Sequence, residues 1–257
     1  MILCLDIGNT HIYGGVFDGE DLALRFRKPS QVRASSDEIG LFLKSVLREN
    51  NIQPENIQAI GLCSVVPDAI YSTRSACKKY FDRTPFELNA EVSSGLKVSY
   101  NNPKDVGADR IANAIAASTM YPNRNLVLVD FGTATTFCAV SKDREYLGGV
   151  ILPGLRIGME ALEDRTAKLP PVEIVKRQKV IGQDTISCIQ SGIYFGNLGM
   201  VKEVLSQIQN EAFSDTEPFV VATGGFAYLF KESNLFDKIE ADLVLHGIRL
   251  AMTHEHN

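Results

Sequence analysis

The spacing of apolar residues changes period several times along the chain. Near the N-terminus, short apolar runs bounded by turn residues predict strands at Ile2–Asp6, Ile12–Phe17 and Leu22–Phe26. The stretch SSDEIGLFLKSVLREN then shifts to helical spacing. Ile39, Phe42, Leu43, Val46 and Leu47 recur on one face, and Ser36 is placed to cap the start. IQAIGLCSVVP reads as a buried strand ending at Pro67, followed by a helix over Asp68 to Phe81 and a short strand in PFELN. A polar loop opens SYNNPKDVGADRIANAIAAS, and an Ala-rich helix closes it. Strongly apolar strand character returns in LVLVDFGTATTFCAVS and YLGGVILPG. Asp184 to Ala212 is largely helical, with Gly192, Gly196 and Gly199 permitting close packing or a kink. PFVVATGGFAYLF reads as a strand running into a Gly-Gly turn, and EADLVLHGIRLAMT as a closing helix. No low-complexity stretch or long linker interrupts the pattern.

One pattern occurs twice. LCLDIGNTHIYGGVFDGEDL and LVLVDFGTATTFCAVSKDREYL each run an apolar strand into Asp-x-Gly-polar, then a second strand and a polar turn. Asp6 matches Asp130, Gly8 matches Gly132, and Asn9 matches Thr133. A single such turn is no more than a hairpin. Two, about half a chain length apart, point to a duplicated domain. A glycine turn lets backbone N–H groups approach an anion closely. Asn9, Thr10, Thr133, Thr135 and Thr136 add neutral donors, and an aspartate at each strand end suits a cation or its waters. Together these are the equipment for a nucleoside triphosphate with its metal. Gly224 and Gly225 in VVATGGFA fit a close backbone approach to a nucleoside, and fit a structural turn nearly as well.

Composition narrows the class. The 257 residues are 45% hydrophobic, enough for one large domain or two ordinary ones. With 22% charged residues and a net charge of −5 there is no basic footprint for nucleic acid. Local donors still bind phosphate within an acidic protein. No apolar run approaches the ~18 residues that span a bilayer, and the N-terminus lacks the basic segment of a signal peptide. A cytoplasmic protein without membrane contact is expected. Cys4, Cys63, Cys77, Cys138 and Cys188 are widely spaced without a CxxC pair, as free thiols are. His254 and His256 in the tail read as a solvated terminus.

The paired Asp-x-Gly turns and the late Gly-Gly turn resemble the acetate kinase, sugar kinase, Hsp70 and actin superfamily. Within it, DIGNT at the N-terminus, GADR at Gly107–Arg110, DFGTATTF at Asp130–Phe137 and GGVILPG at Gly148–Gly154 resemble the type III pantothenate kinases, over essentially the whole chain. The resemblance implies an α/β fold of two tandem ribonuclease-H-like (actin-like ATPase) domains, 1–118 and 119–257, with mixed sheets and a nucleotide cleft between them. It implies phosphorylation of pantothenate by ATP, the first step of coenzyme A biosynthesis. It further implies a divalent cation, Mg2+, with the ATP, a monovalent K+ or NH4+, and a homodimer.

The resemblance also implies roles. Asp6, Ile7, Gly8, Asn9, Thr10, His11, Ile12 and Tyr13 would hold the ATP phosphates, with Thr133 as a further ATP contact. Asp130 would hold the monovalent cation. Tyr100, Gly107, Ala108, Asp109, Arg110 and Thr185 would bind pantothenate, and Asp109 would accept the proton. Some relatives carry a lysine where this chain has Tyr13, which leaves charge neutralisation here to metal, cation and backbone. In the helix after Asp184, Ile193, Tyr194 and Leu198 are expected near the dimer interface.

The residues support a phosphoryl transfer on their own terms. A primary alcohol is a poor nucleophile at neutral pH, and a carboxylate in hydrogen-bond reach orients it and takes its proton. The transfer itself asks for positioning and charge stabilisation. Asp109 stands where a polar loop meets a helix, preceded by the small Gly107 and Ala108, and Arg110 suits the substrate carboxylate. Asp109 with Arg110 also reads as an ordinary helix-start ion pair. Asp105, four residues earlier, is the rival base. Two other functions share the fold: a non-catalytic regulatory protein, and an ATP hydrolase without an alcohol acceptor.

Overall fold

The computed structural model describes residues 1–30, 34–92, 95–166 and 169–254; His256 lies outside them. By its contacts the chain forms two units, Met1–Thr119 with Leu243–Asn257, and Met120–Asp242. Among the described residues no helix is long and apolar enough to cross a membrane.

The first unit contains β1 (Ile2–Ile7), β2 (His11–Asp18), β3 (Asp21–Pro29), α1 (Ser36–Glu49), β4 (Ala59–Ser64), α2 (Pro67–Phe81), the two-residue strands β5 (Phe86–Glu87) and β6 (Lys97–Val98), and α3 (Ala108–Met120). Its sheet runs β3-β2-β1-β4-β5. The first three strands are antiparallel neighbours, and β4 and β5 run parallel to β1. Strand alternation divides β1 between two faces. Leu3, Leu5 and Ile7 join Ile39, Leu43 and Leu47 of α1 and Ala76 and Cys77 of α2 in one core. The cap of α1 is Ser35, one residue before the expected Ser36. The Glu38 N–H donates to Ser35 Oγ (3.2 Å) while the Ser35 N–H donates to Glu38 Oε2 (2.8 Å), a reciprocal box that Ser36 has no Glu at the right spacing to form.

The second unit contains β7 (Leu126–Phe131), β8 (Ala134–Val140), β9 (Glu145–Pro153), α4 (Leu155–Arg165), α5 (Thr185–Ala212), β10 (Phe219–Thr223) and β11 (Lys238–Ile239). Its strands follow β9-β8-β7-β10-β11, the order of the first sheet repeated. Again the first three are antiparallel and the last two parallel. The duplication announced by the two Asp-x-Gly turns is thus a duplication of topology, and both sheets are mixed. Helix α4 carries no apolar stripe strong enough to announce it; Leu155 is its buried residue. In α5, Ile189, Ile193, Tyr194 and Val201 pack inward with Phe131, Phe137 and Phe230. The Tyr194 ring stacks on Phe230 at 5.4 Å.

The closing helix α6 (Leu243–His254) packs in the first unit, whereas the linear division of the chain places it in the second. It covers the face of the first sheet opposite α1 and α2. A Cβ on Gly61 would lie 2.5 Å from Ile248 Cγ2, and one on Gly15 2.8 Å from Leu245 Cδ1. Crossing of α6 over α3 is closer still. A Cβ on Gly247 would lie 1.9 Å from the Ala112 carbonyl oxygen, a backbone atom that has nowhere to go. Gly247→Ala is therefore expected to destabilise the protein by about 1–3 kcal/mol or more, despite alanine's better helix propensity. Chemical denaturation checks it, and an unchanged midpoint would contradict this account of the crossing.

Candidate functional site

The first Asp-x-Gly turn is built at the end of a central strand. The Gly8 N–H donates to the His11 carbonyl (3.0 Å), which closes the turn between β1 and β2. Ser30, just past β3, straps it: Ser30 Oγ donates to the Gly8 carbonyl (2.7 Å), and the Ser30 N–H to the Thr10 carbonyl (2.9 Å). Asn9, Thr10 and His11 are exposed. Ile7 and Ile12 are buried in the core beneath α1 and α2, so of these two residues only the backbone faces the turn.

Across the strands a polar row forms on one face. Asp6 stands opposite Tyr13 on β2 and Cys63 on β4, and Tyr13 stands opposite Arg27 on β3. Directly opposed residues share a face. The Cys63 thiol donates to Asp6 Oδ1 at 3.2 Å, and the Arg27 guanidinium lies 4.5 Å from the Tyr13 ring centroid. Cys63 and Ser30 carry no motif that would mark them in the sequence. Their parts follow from register, which is known only once β1 and β4 are paired in parallel.

Asp109 joins this row from α3. Its carboxylate folds back over the helix start and accepts the Arg110 N–H (2.8 Å). Gly107 leaves the room, since a Cβ there would lie 2.5 Å from Asp109 Oδ1. Desolvation pushes the Asp109 pKa above the ordinary carboxylate value, opposed by the Arg110 N–H and the buried Arg110 charge. Burial, then the charges of Asp6 and Asp109, push the Cys63 thiol well up. The Cys63 thiol is hydrogen-bonded to Asp6, and the Asp109 charge also reaches it. Asp105 differs. It is exposed on the 3-10 turn Pro103–Asp105, outside α3, and Asn102 Nδ2 donates to it at 2.8 Å. A cavity of about 520 Å³ opens beside Gly107 and Ala108, walled by Ser64, Val65, Asn89 and Lys104. Tyr100 is partly exposed, two residues after β6.

The second turn repeats the construction with different chemistry. The Gly132 N–H donates to the Ala134 carbonyl at 3.1 Å. Asp130 stands opposite Thr136 on β8 and Thr223 on β10, giving a row of oxygen donors. Thr133 is exposed, but Thr135 faces the interior and is not an available donor. Two glycines seat this turn. Gly224 has φ +88°, and a Cβ on it would lie 2.4 Å from Asp130 Oδ1; one on Gly154 would lie 2.2 Å from the Thr133 carbonyl. The Gly-Gly turn is thus structural support for Asp130. A carboxylate in a row of hydroxyls fits a hard cation held by oxygen. Among the described residues no group of three or more His, Cys, Asp or Glu side chains surrounds such an ion. The remaining ligands would be hydroxyls, backbone carbonyls and phosphate.

Thr185 is the first residue of α5. It follows the cap Asp184, whose side chain accepts the Ser187 N–H (2.9 Å), and lines a groove of about 820 Å³ between α4 and α5 with Gly158, Leu162 and Gly192. Cys188 lies on the same wall and is the exposed cysteine; Cys4, Cys63, Cys77 and Cys138 are buried free thiols.

Two copies of one mixed-sheet plan, each with an Asp-x-Gly turn ending its central strand, define the actin-like ATPase and sugar-kinase class of α/β proteins. The solved ROK hexokinase from Thermus thermophilus shares this fold: it covers 100% of this chain and 99% of its own, with a TM-score of 0.51 at 17% identity. At the level of sequence, the type III pantothenate kinase family model matches residues 2–207. The type III pantothenate kinase of Legionella pneumophila (strain Paris) is 59% identical over 251 residues, 98% of each chain. Type III pantothenate kinase 1 of Francisella tularensis subsp. holarctica (strain OSU18) is 48% identical over 250 residues, 97% of this chain and 98% of that one. The chain belongs to the type III pantothenate kinase family.

The packing around Asp130 makes a sharp expectation. Gly224→Ala combines a disfavoured positive φ with a clash against Asp130 and the Phe131 backbone, so it is expected to cost about 1–3 kcal/mol. Thermal melts check it, and a variant as stable as the parent would mean that the turn yields easily.

Proposed function

We propose that this protein transfers the γ-phosphoryl group of ATP to the primary alcohol of pantothenate, yielding 4'-phosphopantothenate for coenzyme A biosynthesis. The observation that carries the reading is the Asp109 carboxylate, which accepts the Arg110 N–H at the start of α3, occupies the space Gly107 leaves, and is desolvated by burial. A carboxylate of raised pKa is a stronger base than a solvated one, and it needs only hydrogen-bond reach to take the alcohol proton. Asp105 is exposed and already accepts from Asn102, so it is the weaker choice. Arg110 supplies the charge complement for the pantothenate carboxylate, with Tyr100, Gly107, Ala108 and Thr185 as further substrate contacts. The turn Asp6–Tyr13 takes the ATP phosphates through Gly8, Asn9, Thr10 and His11, and Thr133 is a further ATP contact. Asp130, with Thr136 and Thr223 beside it, holds the monovalent cation, K+ or NH4+. When bound, that ion and Mg2+ offset the negative charge of the phosphates.

The test is ADP release with and without pantothenate. Release that depends on pantothenate and on K+ or NH4+ is expected; release without an acceptor would make the protein an ATP hydrolase, and no release a binding protein. Asp109→Asn should lower kcat by roughly 10²–10⁴-fold with ATP still bound, whereas Asp105→Asn should cost much less. Arg110→Ala should mainly raise the KM for pantothenate. The pH sign is fixed by the raised pKa. The folded state holds the Asp109 proton more tightly than the unfolded chain, so stability falls as pH rises from the ordinary carboxylate value through the folded pKa. Asp109→Asn removes that loss, and the variant should melt no lower than the parent at neutral pH while being far less active.

We further propose a homodimer across the outer face of α5. Ile193 and Tyr194 are not available for it, because they fill the core. The opposite face carries Cys188, Gly192, Gly196 and Gly199, the glycines with open space where a Cβ would stand, flanked by exposed Ile186 and Met200. Such a groove accepts the same helix of a second copy in a two-fold interface. Sedimentation should show a dimer at micromolar concentration and a monomer for Gly196→Glu. A parent that sediments as a monomer would sink the proposal.

A further inference from the structure

We propose that Arg27 is the side chain that neutralises the phosphates of ATP at the first turn, with the ring of Tyr13 as its platform; this rests on the nucleotide reading above. The triphosphate is polyanionic, and it would approach a turn whose own side chain at the strand end is the carboxylate of Asp6. The turn also commits one of its amides, since the Gly8 N–H is donated to the His11 carbonyl. A positive charge must come from close by. Along the row Cys63–Asp6–Tyr13–Arg27 the guanidinium is the cation, in direct register across β4, β1, β2 and β3 and therefore on the Asp6 face.

Three features fit Arg27 for that part. First, its guanidinium lies over the Tyr13 ring at 4.5 Å, and a stacked guanidinium keeps its edge N–H groups directed outward, where they match phosphate oxygens in pairs. Second, Arg27 is exposed, so the charge is available to a ligand without the cost of unburying it. Third, its strand is tied to the turn. Ser30 clamps both Gly8 and Thr10, so the end of β3 and the phosphate turn are held as one rigid piece. The neighbouring Lys28 does not share this position. Strand alternation turns it to the other face, where its ammonium lies 5.7 Å from the Phe42 ring of α1.

The test measures nucleotide binding directly, by calorimetry with a non-hydrolysable ATP analogue and with adenosine, on the full chain. Arg27→Gln is expected to weaken binding of the ATP analogue about 10- to 100-fold, the loss of a charge-assisted contact, and to leave adenosine binding and the thermal melt unchanged. Arg27→Lys should recover part of the loss. Lys28→Gln should bind both ligands as the parent does. Equal affinity of Arg27→Gln and the parent for the ATP analogue would overturn the proposal. So would an equal loss for adenosine, which would make Arg27 a structural residue. Failure of the kinase reading is separately visible: the parent would bind the ATP analogue yet release no ADP in response to pantothenate.

Discussion

A carboxylate near the end of a buried central strand, followed at once by a tight turn closed through a glycine N–H, is the constraint on which this structure depends. It appears twice. In each copy the strand before the aspartate is apolar enough to be fixed from both sides, so the carboxylate has little freedom. The turn glycine spends its N–H on the carbonyl of a residue two or three positions on, and the chain leaves as an antiparallel partner. The copies then diverge by what stands in register with the aspartate: a thiol, a phenol and a guanidinium around Asp6, and two threonine hydroxyls around Asp130. One row carries fixed positive charge. The other offers neutral hydroxyl oxygen beside its carboxylate.

The same economy governs Asp109. A helix start is a favourable place for a carboxylate, because unpaired N–H groups stabilise its charge. Here that benefit, together with the Arg110 charge, is outweighed by desolvation. The balance leaves a base stronger than a surface aspartate. Its position depends on Gly107, whose missing side chain is the space the carboxylate occupies. The glycine of GADR is thus explained by packing, independently of any ligand.

Much of this was legible in the chain itself. Period-two and period-3.6 spacing marked the strands and the larger helices, because burial on one face forces apolar residues to that spacing. The paired Asp-x-Gly turns marked the duplication, because a turn that leaves a carboxylate and small donors at a strand end has few sequence solutions. The cap of α1 is Ser35 rather than the expected Ser36, since adjacent serines differ only in whether Glu38 stands three positions on. Thr135 fits the donor pattern in sequence yet is buried, because alternation gives which residues share a face but not which face is inside. For the same reason the sequence points to Ile193 and Tyr194 near a dimer interface, whereas they pack into the core and the glycine stripe lies on the opposite face of α5.

What the sequence by itself determined is therefore local and periodic: the α/β class, the repeat, the two strand-end aspartates, and Asp109 beside Arg110 at a helix start. Tertiary structure decided the matters that depend on residues distant in sequence. Parallel pairing of β1 with β4 brought Cys63 to Asp6, the β2–β3 register laid Arg27 on Tyr13, and Ser30 strapped the turn from beyond β3. The last helix joined the first unit, packing on the sheet at Gly61 and Gly15 and crossing α3 at Gly247. Register and helix docking are chosen by the fit of whole surfaces, and no single stretch of chain contains both halves of that fit.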